Sequence, residues 1–145
     1  MSQRTTETIE IAASPDAVYA LAADFASYPE WIADLKSISI LESDEQGRAT
    51  NVEFRAAAFG RSSQYALRYD YSQAPSCLRW QQSSGDLTTK LDGAYTFVAS
   101  PVGTRVTYEL EVELLVPLPG FVKSRAASRI VSQALRELKA RAERG

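Results

Sequence analysis

Arg105-Val106-Thr107-Tyr108-Glu109-Leu110-Glu111-Val112-Glu113-Leu114 decides how this chain is read. Val106, Tyr108, Leu110, Val112 and Leu114 share one parity, and Arg105, Thr107, Glu109, Glu111 and Glu113 share the other. Successive side chains of a strand point to opposite faces, so this alternation describes a strand with one dry face and one wet face. Pro117, Pro119 and Gly120 then end the sheet, and from 121 to 143 the period becomes helical. Phe121, Ala127, Ile130, Val131, Ala134, Leu135, Leu138 and Ala142 form an apolar stripe, with Lys123, Arg129, Arg136, Glu137, Lys139 and Arg141 on the wet side. A helix of that length runs about 35 Å. It is the only expected element long enough to cover a sheet's dry face.

Backward from there the two-residue period persists. Leu91, Gly93, Tyr95 and Phe97 alternate with Lys90, Asp92, Ala94 and Thr96; residues 77–82 are a short strand holding Leu78 and Trp80. Tyr65, Leu67, Tyr69 and Tyr71 form one face of another strand, Val52, Phe54, Ala56 and Ala58 of another, and Ile38 and Ile40 of a short one ending near Glu42. Turns are expected at 43–47, 60–62, 74–76, 83–86 and 100–103, where Gly, Pro, Ser and Asp gather. Six strands on short turns make an antiparallel meander. Ahead of it, 5–11 reads as a strand with Ile9 and Ile11 on one face. Ser14-Pro15-Asp16 then starts a helix, with a hydroxyl cap, proline at the first position and an acid in the first turn. A second helical piece carries Phe25, Tyr28, Trp31 and Ile32; Pro29 disfavours helical geometry at Tyr28 and keeps it short.

The 145 residues suit a single domain, 1–145, burying roughly 70% of the extended surface without a staple. A net charge of −2 gives no field that draws the chain to phosphate backbones, so no nucleic-acid partner is expected. The single cysteine, Cys77, rules out an internal disulfide, and no activating neighbour surrounds it. The absence of histidine removes histidine-based metal sites and Ser-His or Cys-His nucleophile pairs, and no clustered acidic loop suggests another metal. No metal or other cofactor is expected. No apolar run approaches a membrane span or a signal peptide, which points to a cytoplasmic protein without stable membrane insertion, as monomer or homodimer.

A twisted sheet of this length curls, and one helix cannot fill the whole concavity. The gap is either packed with side chains or left for a ligand. Tyr65, Tyr69, Tyr71, Tyr95 and Tyr108 all fall on the inward parity, and buried phenols need hydrogen-bond partners. They either line an ordinary core, bonded to backbone, or surround a ligand in a concave apolar site.

Ala12-Ala13-Ser14-Pro15-Asp16-Ala17-Val18-Tyr19, Asp24-Phe25-Ala26-Ser27-Tyr28-Pro29-Glu30-Trp31, and Val116-Pro117-Leu118-Pro119 leading into the last helix carry a resemblance. In these segments and in element order over nearly its whole length, the chain resembles the START-like, helix-grip (SRPBCC) superfamily, in its polyketide cyclase/dehydrase and coenzyme Q-binding (Coq10-like) branch. The resemblance implies an α+β helix-grip fold, β-α-α-β6-α, whose curved antiparallel seven-stranded sheet wraps a long C-terminal helix around an internal cavity. It also implies a hydrophobic pocket as the working part.

The expected cavity walls are Phe54, Tyr65, Leu67, Tyr69, Trp80, Leu91, Tyr95, Phe97, Tyr108, Leu110 and Val131, and the mouth Tyr28, Trp31, Phe59, Phe121 and Arg125. Trp31 serves equally as a pin for the helical lid, Phe59-Gly60-Arg61 as a plain hairpin turn, and Arg125 as a solvated charge. Arg55 and Arg68 fall on the wet parity, so the interior arginine of cyclase relatives has no counterpart on those strands; Lys90 and Asp92 read as outer-face charges. No catalytic residue is assigned. The leading reading is a carrier or sensor for a lipid, quinone or polyketide-like ligand, and not an enzyme. The alternatives are a metal-free aromatase/cyclase, for which shape, desolvation and tyrosine donors suffice, and a protein- or ribosome-interaction module, which the net charge disfavours.

Overall fold

The computed structural model describes residues 2–58 and 61–144. Strand β1 (Gln3–Ile11) is followed by helix α1 (Pro15–Ala23) and a 3-10 turn η1 (Phe25–Glu30). Strands β2 (Leu35–Ser43), β3 (Ala49–Ala58), β4 (Arg61–Asp70), β5 (Cys77–Gly85), β6 (Thr88–Ser100) and β7 (Gly103–Leu114) come next, and helix α2 (Gly120–Arg144) closes the chain. The seven strands form one antiparallel sheet in the order β1-β7-β6-β5-β4-β3-β2. Every neighbour but β1 and β7 is a hairpin partner, so β1 closes the meander beside the last strand. This is the helix-grip architecture expected from the sequence.

Local chemistry sets the helices. Ser14 Oγ accepts from Ala17 N at 3.2 Å, with Pro15 next in line, and α1 starts there. Pro29 lies inside η1, which stays in tight 3-10 geometry and ends as Trp31 N donates to Tyr28 O. The Val116–Pro119 link reverses the chain; Val122 N and Lys123 N both donate to Pro119 O at the start of α2. Ala127, Val131, Leu135 and Leu138 are buried at helical spacing and pack chiefly on β1, β7 and α1.

Strand alternation is clearest along β7: Val106, Tyr108, Leu110, Val112 and Leu114 are all buried, while Arg105 and Glu109 are exposed. Two segments depart from the sequence reading. β5 runs on through Ser83, Ser84 and Gly85, where a turn was expected, and the chain turns at Asp86 and Leu87. Between Ala66↔Ser84 and Leu67↔Gln82 the register shifts, leaving Ser83 as an extra residue that bonds Asn51 Oδ1 and Ala66 O. β2 is longer than expected and lies at the sheet edge with three register shifts. Ile40 and Leu41 are both about half exposed there, so the dry face inferred for Ile40 does not form.

Candidate functional site

Antiparallel pairing carries the aromatic residues to the concave side of the sheet. Tyr95 of β6 sits opposite Tyr108 of β7, and their rings lie 4.6 Å apart. Trp80 of β5 sits opposite Gly93 of β6. A Cβ at Gly93 would lie 2.6 Å from Trp80 Cζ2 and 2.7 Å from Glu109 O, so the missing side chain is what lets the indole lie against β6. From there the indole meets Tyr95 at 5.4 Å, Tyr108 at 5.5 Å and Tyr69 at 5.9 Å.

The helical lid joins the same network. Phe25 meets Tyr69 at 4.4 Å and Tyr28 at 5.3 Å; Tyr28 meets Trp31 at 5.1 Å and Phe54 at 6.2 Å; Phe54 stacks on Tyr65 at 5.2 Å. Phe97 and Tyr19 extend the chain of rings toward α1. The aromatic wall is therefore continuous from the lid, across β3 to β7, and back to the first helix.

Phenols divide into two groups by what their hydroxyls do. Tyr28 donates to Ala22 O and Tyr71 donates to Ala49 O at 2.5 Å, so these two are tied to backbone. Tyr65, Tyr69, Tyr95 and Tyr108 have no hydrogen bond to protein among the described residues. Burial pushes the Tyr65 phenol up to about 12 and raises Tyr69, Tyr95 and Tyr108 well above the usual phenol value. Tyr65 and Tyr95 nevertheless keep partly accessible side chains. The space between sheet and helix is largely taken up by rings.

Every expected wall residue lies on this inner side: Phe54, Leu67, Tyr69, Trp80, Phe97, Tyr108, Leu110 and Val131 are buried, and Tyr65, Leu91 and Tyr95 partly so. None of them is charged. Arg55 is turned outward onto Gln64, and Arg68 outward onto Glu42. Lys90 pairs with Glu111 on the outer face. Of the expected mouth, Tyr28 is buried and Trp31 partly buried, with its Nε1 sealed and unpartnered; both belong to the lid. Phe121 and Arg125 are exposed on α2. Phe59 and Gly60 lie outside the described residues. Phe25, which joins the lid to Tyr69, was not singled out as a wall residue. Its place in the Asp24–Trp31 segment marked it as lid, but nothing in the sequence shows which strand it meets.

An open depression of about 870 Å³ lies elsewhere. It lies on the outer face of the sheet, between Arg4, Arg68, Arg79, Asp70, Asp92 and Glu109, above a floor that includes Ala94. Its mixed charges include paired ones: Arg4 meets Glu111 at 3.4 Å and Arg68 meets Glu42 at 3.4 Å. A wall of alternating charges offers an apolar molecule little, whereas the inner side is aromatic throughout. A smaller groove of about 290 Å³ separates the lid from the end of α2. Among the described residues no cluster of three or more Cys, Asp or Glu could hold a metal, and no helix is long and apolar enough to cross a membrane.

This fold recurs in solved structures. A START superfamily protein from Mycobacterium smegmatis is 25% identical, with 97% of each chain covered and a TM-score of 0.91. The aromatase/cyclase ZhuI from Streptomyces sp. R1128 is 17% identical over 99% of this chain and 95% of its own, at a TM-score of 0.76. A protein from Thermus thermophilus is 21% identical over 98% of this chain and 97% of its own, at a TM-score of 0.78. The last two likenesses concern the fold alone. No curated protein matches the sequence. The family described as polyketide cyclase/dehydrase and lipid transport matches residues 2–143. With nearly the whole chain matched and the helix grip in place, the chain belongs to the polyketide cyclase/dehydrase and lipid-transport family.

Proposed function

We propose that the chain binds a hydrophobic small molecule, of lipid, quinone or polyketide-like type, between the sheet and α2, as a carrier or sensor. One observation carries this reading: four phenols, Tyr65, Tyr69, Tyr95 and Tyr108, converge on an uncharged aromatic interior without hydrogen bonds to protein among the described residues. These four hydroxyls are not among the sealed, unpartnered polar atoms of the described residues, which are Trp31 Nε1 and Ser100 Oγ, so they reach space that water or a ligand can enter. A ligand with acceptor oxygens satisfies them. The rings already occupy much of the interior, so uptake requires the lid bearing Phe25, Tyr28 and Trp31 to move away from Tyr69 and Phe54.

A cyclase reading uses the same phenols as donors to a developing enolate. The observation in its favour is that hydroxyls line the wall on three strands, β4, β6 and β7. The observation against it is that the phenols are raised, not lowered, and that no carboxylate or amine stands among the wall residues themselves; the Glu137 carboxylate that acts on Tyr95 belongs to α2 and is held by the Ala33 amide. Native mass spectrometry of gently purified protein, followed by solvent extraction, tests the binding reading. A retained lipophilic mass, or fluorescence enhancement of an apolar dye by the folded protein, is expected. Protein at its bare mass that also leaves the dye dark rejects it. Turnover of a poly-β-ketone would instead favour the cyclase.

A further inference from the structure

We propose that the end of the molecule where α2 begins docks on an anionic bilayer surface, with Phe121 and Leu115 entering the interface and Lys123, Arg125 and Arg129 meeting lipid phosphates. Strand pairing defines this end: β3, β5 and β7 finish there and β4, β6 and β1 start there. The β7–α2 link brings Leu115 beside Leu87 of the β5–β6 turn, through the bond from Leu115 N to Leu87 O. Phe121 is 67% exposed and Leu115 56%, among the most exposed large apolar side chains of the chain. Isolated exposed apolar residues are ordinary, but Phe121 stands in line with Arg125 and Arg129 on one exposed helix face, and that mixture is the pattern of an interfacial surface.

The charges are one-sided. Residues 120–136 carry four basic side chains and no acidic one, although the whole chain has a net charge of −2. Phe121, Arg125 and Arg129 follow one another at four-residue spacing along one exposed face of α2. Arg125 and Arg129 have no ion pair among the described residues, and Lys123 reaches only Leu114 O, at 3.4 Å. Of the carboxylates nearby, Glu111 is paired with Arg4 and Lys90, whereas Asp86, held by Ser63 and the Gln64 amide, and Glu7, held by Ser132, keep their charge. Cations alone would also suit a polyphosphate backbone. The exposed phenylalanine and leucine beside them favour lipid, because they gain only where hydrocarbon lies beneath the phosphates.

Each basic residue held near an anionic leaflet strengthens binding roughly fivefold, so three favour it over a neutral one by about a hundredfold. The test is co-sedimentation of the full chain with phosphatidylcholine vesicles, with and without about one-third phosphatidylglycerol. Binding is expected to the anionic vesicles alone, weakening as salt rises past about 0.15 M. Arg125→Gln/Arg129→Gln should weaken it roughly 25-fold, and Phe121→Ser several-fold, with melting temperatures unchanged. No binding to anionic vesicles at low salt, equal binding to neutral ones, or full binding by the double variant overturns the proposal. So does tight binding to a DNA duplex with vesicles left free. The vesicles contain no added ligand, so the outcome bears on docking and leaves the interior to the mass-spectrometric test.

Discussion

Replacing tyrosine by phenylalanine separates the two groups of phenols, because it removes one oxygen and leaves the ring contacts in place. Tyr28→Phe removes the bond to Ala22 O, which is formed between buried residues. The expected loss is about 1–2 kcal/mol, a fall in melting temperature of roughly 3–6 °C for a chain of this size. Tyr108→Phe and Tyr95→Phe remove no protein hydrogen bond, and their stability should stay within about 0.5 kcal/mol of the parent. Urea unfolding followed by tryptophan fluorescence reads both, since Trp80 touches Tyr95 and Tyr108 directly. In dye or ligand titration the order should reverse: Tyr95→Phe and Tyr108→Phe each lose roughly 1 kcal/mol of binding, about fivefold.

Two results would refute this reasoning. If Tyr108→Phe is as destabilised as Tyr28→Phe, its hydroxyl serves the fold. If all four free phenols can be replaced without changing the affinity of an oxygen-bearing ligand, they do not face it.

Other expectations follow from the same geometry. Gly93→Ala places a methyl group against Trp80 and Glu109 O; overpacking should cost about 1–3 kcal/mol, and a melting temperature within a degree of the parent would show that the indole yields freely. Tyr108→Arg buries an uncompensated charge and should abolish folding or ligand uptake, whereas Glu109→Arg on the outer face should be nearly silent; equal effects in thermal melts and dye binding would overturn the facing of β7. All seven tyrosines titrate above their ordinary value, with burial the first cause in each. A phenol raised in the folded state contributes stability that is fully present below the unfolded value near 10 and is lost as pH rises through the folded value. Absorbance at the phenolate band should therefore stay low at pH 10 and rise together with unfolding above it; half-ionised tyrosine in folded protein at pH 10 would contradict the burial.

What the sequence made legible was what periodicity encodes. β7 and α2 announce themselves through unbroken two-residue and helical spacing, and Ser14-Pro15 supplies the cap chemistry of α1 directly. The inward parity of the wall residues follows from β7 by pairing, and all of them lie on that side. Three things were not legible. Ser83-Ser84-Gly85 has the composition of a turn, but the chain there absorbs an extra residue at Ser83 and stays paired. Ile40 alternates like a core residue, yet alternation does not say whether a strand sits at the edge, where one face has little to cover it. The fate of the phenol hydroxyls was open in the same way. Tyr71 and Tyr69 share one parity, but only Tyr71 finds a carbonyl, Ala49 O, at the end of the neighbouring strand.

The free hydroxyls stand in a wall that offers no countercharge, and this constrains what the site can accept. A carboxylate drawn into it would leave water without a cation to meet it, a penalty of several kcal/mol that neutral phenols offset only in part. A neutral carbonyl or quinone oxygen needs no such compensation and accepts a phenol hydrogen directly. Arg55 and Arg68 could have changed this balance, but strand parity turns both to the outer face, where Gln64 and Glu42 hold them. The same parity that makes β7 a dry-and-wet strand thus keeps the strand charges on the outer face, and under the proposed binding role the interior would discriminate by ring shape and by the spacing of acceptor oxygens.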